Sequence, residues 1–195
     1  MKKWIIIGVI FLVAFALYNF FAGSYNNMVS KGENVTRAWQ DVESDYQRRL
    51  DLIPNLVNTV KGYADFEKST LTAVIEARAQ ATQVKVDANN ITPESLAKFQ
   101  AAQGQLSSSL SRLLVTVEQY PDLKANQNFL ELQAELAGTE NRIKVARNKF
   151  NETVQDYNTY VKSFPRNLLA GMFGFSSKAY FEADEAAAKA PEVKF

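Results

Sequence analysis

The run Trp4 to Ala22 is apolar throughout, with no charge and one strongly polar side chain, Asn19. As helix, its roughly nineteen residues span about 28 Å, close to the hydrocarbon thickness of a bilayer. No proline separates it from the patterned segment that follows, so the sequence predicts one helix that leaves a membrane and continues into the folded body. Trp4 at one end, and Tyr18 with Tyr25 at the other, set amphipathic rings at the two interfaces. Ile5, Phe11, Leu17, Phe20 and Phe21 supply lipid-facing surface between them. Lys2 and Lys3 abut the run, whereas the next basic residue, Lys31, lies well beyond it. The positive-inside rule then puts the N-terminus in the cytoplasm and the large C-terminal part outside. A cleaved signal peptide competes with this reading, but Phe20 stands at the minus-three position of the Phe20-Phe21-Ala22 site, where a small residue is needed. Residues 1–24 are therefore expected to remain as an anchor.

Beyond the membrane the spacing is that of a helical seam. Tyr25, Met28, Gly32, Val35, Trp39, Val42, Tyr46, Arg49, Ile53, Leu56, Val60 and Tyr63 alternate at three and four residues, and only Gly32 and Arg49 are not large apolar or aromatic. Pro54 falls inside this seam and must free the carbonyl of Leu50 from its helical bond. The register holds on both sides, which predicts a kink and not a break. Gly62 marks a turn, with Asp65 as a candidate N-cap. A second helix is predicted from Phe66 to Val86, with Leu71, Val74, Ile75, Ala81 and Val84 on its apolar side. Thr92 as N-cap and Pro93 at the first helical position open a third helix, whose seam is Leu96, Phe99, Gln103, Leu106, Leu110, Leu113, Val117 and Tyr120, and Pro121 stops it. The fourth repeats the spacing from Phe129 through Leu132, Leu136, Thr139, Ile143, Ala146, Phe150, Thr153, Tyr157 and Tyr160 to Phe164, where Pro165 ends it.

The predicted fold is all-α: a single transmembrane helix continuing into an elongated, up-down-up-down antiparallel four-helix bundle over residues 25–164. The first and fourth bundle helices, each about forty residues and roughly 60 Å, return Phe164 to the level of the membrane. Residues 165–195 then comprise a membrane-proximal apolar segment and a polar tail. Leu168, Leu169, Met172, Phe173 and Phe175 are candidates for contact with the bilayer or a neighbouring protomer. Capping of the open bundle core is the alternative fate of these side chains. Tyr180 and Phe181 are the expected anchors of the tail.

Composition narrows the chemistry. The chain has no His and no Cys, which removes imidazole catalysis, His-based metal sites, disulfides and thiolate chemistry. A net charge of +1 leaves no electrostatic footprint for nucleic acid. Carboxylates, Lys and Tyr remain, but a slim bundle seldom supplies the concave pocket that catalysis requires. No enzyme activity and no cofactor are expected. Asp41, Glu43 and Asp45 alternate along one helix and do not converge on a cation; a solvated face is expected.

The segments AWQDVESDYQRRLDLIPNLVNTVKGYADFE, ENRIKVARNKFNETVQDYN and FPRNLLAGMFGFSSKAYFE resemble the LemA family of bacterial membrane proteins. The resemblance covers most of the chain and implies a membrane-anchored helical bundle without known enzymatic activity. It also implies a place in the bacterial inner membrane and cell envelope, with one relative tied to magnetosome membranes and genes often near membrane metalloproteases.

Within the motif, Arg48, Arg49, Asp51, Pro54 and Asn55 form a candidate cluster. Arg49 sits where the seam wants an apolar side chain, so its guanidinium must be paired, with Glu140 and Glu152 as candidate partners. A structural cluster that fixes helix register is the first reading; a recognition notch using the freed Leu50 carbonyl and the Asn55 amide is the second. The pattern YNxxV occurs at Tyr25 and again at Tyr157, which the bundle geometry brings to the membrane end. Two functional readings follow. One is a homo-oligomeric scaffold, suggested by more aromatics, thirteen Phe and eight Tyr, than a slim core hides. Phe66, Phe150, Tyr157, Tyr160, Phe173 and Phe175 are the rings expected to betray that surplus. The other is a monomeric adaptor presenting either the kink or the Gly62 to Asp65 tip to a membrane metalloprotease or other envelope protein.

Overall fold

Helix α1 runs without interruption over Lys2–Lys61. It is followed by α2 (Lys68–Gln83), α3 (Pro93–Val117), α4 (Pro121–Lys124), α5 (Gln127–Lys162) and α6 (Arg166–Phe173). This computed structural model describes residues 2–63 and 66–182, among which there is no strand. At 60 residues α1 is roughly 90 Å long. It is the one helix among the described residues long and apolar enough to cross a membrane, and none of its apolar window is covered by the rest of the chain. Burial begins directly after that window, at Ser24 and Met28, and follows Val35, Trp39, Val42, Tyr46, Arg49, Ile53, Leu56 and Val60. The stripe dictated by the seam is thus the stripe that packs.

The cross-contacts fix the directions. Gly32 faces Tyr157, Arg49 reaches Glu140 and Arg48 reaches Glu135, so α1 and α5 run antiparallel. Trp39 and Tyr46 meet Phe99, and Arg49 meets Gln103 and Ser107, so α3 ascends beside α1. The carbonyl of Leu50, freed by Pro54, accepts from Arg78 Nε of α2 at 2.9 Å. That bond replaces the one proline removes, and α1 stays helical through Pro54. Two apolar clusters result: a membrane-proximal one around Trp39, Phe99, Phe150 and Tyr157, and a distal one around Ile53, Leu71, Leu106, Leu113 and Phe129.

Local signals explain the helix starts. Thr92 Oγ1 accepts from Ser95 N–H while Ser95 Oγ accepts from Thr92 N–H, a reciprocal cap with Pro93 at the first position. Asn126 Oδ1 caps α5 at Phe129 N–H, which the sequence reading did not anticipate. Other expectations need correction. Helix α2 ends at Gln83, not Val86, because the backbone turns extended at Val84 and so delivers Val86 and Ile91 to the core. Ile75 is exposed, since α2 buries only the narrow stripe Leu71, Val74, Ala77 and Ala81. Pro121 opens the one-turn α4, and Asp65 lies outside the described residues. Along α5 the buried positions drift to Val154, Asn158 and Val161, where a strict heptad named Thr153 and Tyr160. A straight helix slips by about 20° per heptad, and the 36 residues of α5, about five heptads, accumulate it. Phe164 leaves the core altogether, because α5 ends at Lys162 and the chain turns at Pro165 into α6. The aromatic surplus is largely absorbed: Phe66, Phe150 and Tyr157 are buried, Tyr160 lies under the Arg166 guanidinium, and Phe173 and Phe175 pack edge-on against Tyr25.

Candidate functional site

Three constellations stand out, two of them at the membrane end. The first is α6, an eight-residue helix whose inner face buries Leu169 and Ala170. Its other face, with the preceding turn, exposes Phe164 at 80%, Leu168 at 61% and Met172 at 75%. Phe173, half-exposed, meets Tyr25 at 5.1 Å between ring centroids. Because Tyr25 lies one turn beyond the apolar window, α6 sits beside the first turn of α1 after that window. Of the apolar segment's candidates, Leu168 and Met172 face outward, while Leu169 belongs to the core and Phe175 is half-buried.

The second is an extended strap, residues 175–182, laid along α5. Gly174 ends α6 in the left-handed conformation (φ 77°) and lets the chain reverse, a position that favours glycine. Two asparagines then hold the strap by its main chain. Asn158 accepts from Lys178 N–H and donates to Lys178 C=O, both at 2.9 Å. Asn151 does the same for Phe181 at 2.9 and 3.0 Å. Tyr157 Oη donates to Ser176 C=O, and Gln100 and Arg147 both donate to Glu182 C=O. Only one strap side chain is deeply buried: Phe181, 4% exposed, stacks on Trp39 at 5.9 Å, meets Phe150 edge-on and lies under the Arg147 guanidinium. Tyr180, its expected companion anchor, is exposed. Burial raises the pKa of Tyr157 and lowers that of Lys178, although Asp87 opposes the latter, so the strap interface disfavours both charged forms. An open cavity of about 340 Å³ between strap and α1 is lined by Tyr25, Gly32, Tyr157 and Lys178, so both YNxxV tyrosines line it.

The third is Arg49, 3% exposed. Its guanidinium donates to Gln103 Oε1 (2.6 Å), Ser107 Oγ (2.8 Å) and Glu140 Oε2 (2.9 Å), and lies 5.0 Å from the Tyr46 ring centre. Burial raises the Tyr46 pKa, against the lowering influence of Arg147 and Arg49. Glu140 is the anticipated partner; Glu152 instead meets Lys149 on its own helix. The other motif residues do not converge here. Arg48 reaches Glu135 at the surface, Asp51 accepts from Gln47, and exposed Asn55 lines an open polar groove. The Leu50 carbonyl, an ingredient of the notch reading, is taken by Arg78. Asp45 is paired with Arg142.

A family model described as the LemA family matches residues 38–195, which takes in the three constellations but not the apolar window. Protein LemA of Metamycoplasma hominis is 24% identical over 176 residues, covering 90% of this chain and 77% of that protein. Magnetosome protein MamQ 2 of Paramagnetospirillum magneticum is 26% identical over 175 residues, covering 81% of this chain. Magnetosome protein MamQ of Magnetospirillum gryphiswaldense is 27% identical over 174 residues, covering 80%. The aligned part spans 64% of the length of each magnetosome protein.

Proposed function

The chain belongs to the LemA family, and from that membership and the geometry above we propose that it is a non-enzymatic, membrane-anchored scaffold of the bacterial cell envelope. The observation that carries this reading is the continuity of α1, whose lipid-facing part and core-forming part are one helix with no joint between them. A flexible linker only tethers a domain; a continuous helix fixes its height and orientation. In this reading α1 crosses the inner membrane once with its N-terminus in the cytoplasm. Helices α1, α2, α3 and α5 stand outside as an up-down-up-down bundle roughly 60 Å tall. Helix α6 is the foot, with Phe164, Leu168 and Met172 seated in the interface. Copies assemble side by side through anchor and foot. Family membership and the magnetosome proteins among the relatives support a membrane-associated role.

A second reading, a monomeric adaptor for a membrane metalloprotease or other envelope partner, is favoured by a specific observation. Outside the span, exposed large apolar side chains gather at the foot, whereas Ile75, Val115, Leu130 and Val145 stand singly on three helices. Light scattering on the full-length protein in mild detergent separates the two. The scaffold predicts a defined oligomer that persists on dilution; a monomer at all concentrations would overturn it and leave the adaptor.

A further inference from the structure

The α5 face under the strap holds it chiefly by its main chain. Asn151 and Asn158 each satisfy both the N–H and the C=O of one strap residue, Phe181 and Lys178 respectively. The spacing is commensurate. Seven residues of helix rise about 10.5 Å, and three residues of extended chain advance about 10 Å. The two asparagines therefore meet every third unit of an antiparallel extended chain, and Gln100 with Arg147 continue the grip at Glu182. Nothing in those bonds requires the strap's own side chains. Ser177 and Tyr180 point to solvent, while side-chain recognition falls chiefly to the Trp39, Phe150 and Arg147 box around Phe181, with Lys178 Nζ donating to Asn89 C=O at 3.0 Å beside the Tyr157 ring.

From this we infer that the α5 face is a peptide-recognition site for an extended segment of a partner protein bearing an aromatic side chain, and that residues 175–182 are its built-in competitor. The inference rests on the adaptor reading and names the chemistry of its partner. The strap itself is the template for that chemistry: main-chain pairing of two residues three apart, with a flat ring on the second. Trp39, whose ring stacks on Phe181, keeps a buried Nε1 without a hydrogen-bond partner among the described residues. Because the competitor is covalently attached, it acts at a high effective concentration, and the site opens only when the strap is loosened.

The test uses full-length protein in nanodiscs and a fluorescent peptide with the sequence of residues 175–184, followed by anisotropy. Phe181→Ala loosens the resident strap and leaves the slot intact. The peptide is expected to bind this variant at least roughly tenfold more tightly than the wild type, since apparent affinity scales with the fraction of open sites. The same peptide with alanine at its Phe181 position should lose binding, as should the protein carrying Asn151→Ala and Asn158→Ala in addition. A folded Phe181→Ala protein that ignores the peptide overturns the inference, as does binding that survives removal of the ring. Concentration-dependent dimers of the wild-type protein that excess peptide dissociates would assign the site to a second copy's strap and also overturn it. If Phe181→Ala loses helicity, a protease site inserted after Gly174 decides. Exchange of the nicked strap for labelled peptide supports the inference; a strap that never exchanges, or a body that unfolds on nicking, overturns it. The mass measurement is independent, so failure here and failure of the adaptor reading remain distinguishable.

Discussion

Trp39→Ala is expected to destabilise the body by about 4 kcal/mol, the usual range for deleting a fully buried large aromatic. Trp39 is 1% exposed and touches Phe99 on α3, Phe150 on α5 and Phe181 on the strap. Its loss opens a cavity where three elements converge, and none of them can collapse into it without moving the others. For a body of this size each kcal/mol lowers Tm by about 2–4 °C, so a drop of roughly 8–16 °C is expected by circular dichroism. The strap should suffer more than the helices, because the stacked face of Phe181 disappears while the asparagine bonds remain. Limited proteolysis should then cut near Tyr180 at temperatures where the helices are intact. A Tm within about 2 °C of wild type would contradict the packing described here.

Arg49→Ala is the second large effect, about 3 kcal/mol, and its sign depends on what is left behind. Gln103, 3% exposed, loses the donor to its Oε1, and the unpaired amide stays buried. Glu140, whose side chain is 60% exposed, returns to water at little cost. Arg49→Met paired with Gln103→Leu should therefore recover most or all of the loss, since a well-packed apolar replacement of a buried polar pair is often neutral or better. Urea unfolding of the three proteins checks the ordering. If Arg49→Ala alone kept wild-type stability and lost only the ability to bind a partner, the register role would be wrong and the notch reading would return.

These two residues show what the sequence makes legible. Trp39 and Arg49 lie on a seam whose three-four spacing marks the buried stripe of α1 almost position by position, because a long helix has one stable way to hide apolar side chains. The same holds for α3, where Leu96, Phe99, Gln103, Leu106, Leu110, Leu113 and Val117 are all buried. Arg49 announces its need for a partner by being charged on that stripe, and the antiparallel return of α5 supplies Glu140. The strap was not legible in the same way. Phe181 stood out as an anchor by its bulk, but the bonds of Asn151 and Asn158 reach an extended segment 20 to 30 residues later in sequence, with no periodicity of its own. The available signal was two asparagines seven apart on one helix face, which at sequence level looks like a solvated stripe. Likewise the run from Leu168 to Phe175 declared itself apolar, but which of its side chains face outward depends on the turns at Pro165 and Gly174.

A rigid body held at the bilayer by α1 and seated on it by α6 must place its foot at a fixed depth. The chain has no native cysteine, so Met172→Cys in the full-length protein can carry a single fluorophore in vesicles containing spin-labelled lipids, with Lys124→Cys as the distal reference. Strong quenching at position 172 by labels near the headgroups, and none at position 124, is the predicted result. Equal, water-like behaviour at both positions would mean that the foot does not meet the membrane and would contradict the seating proposed for α6.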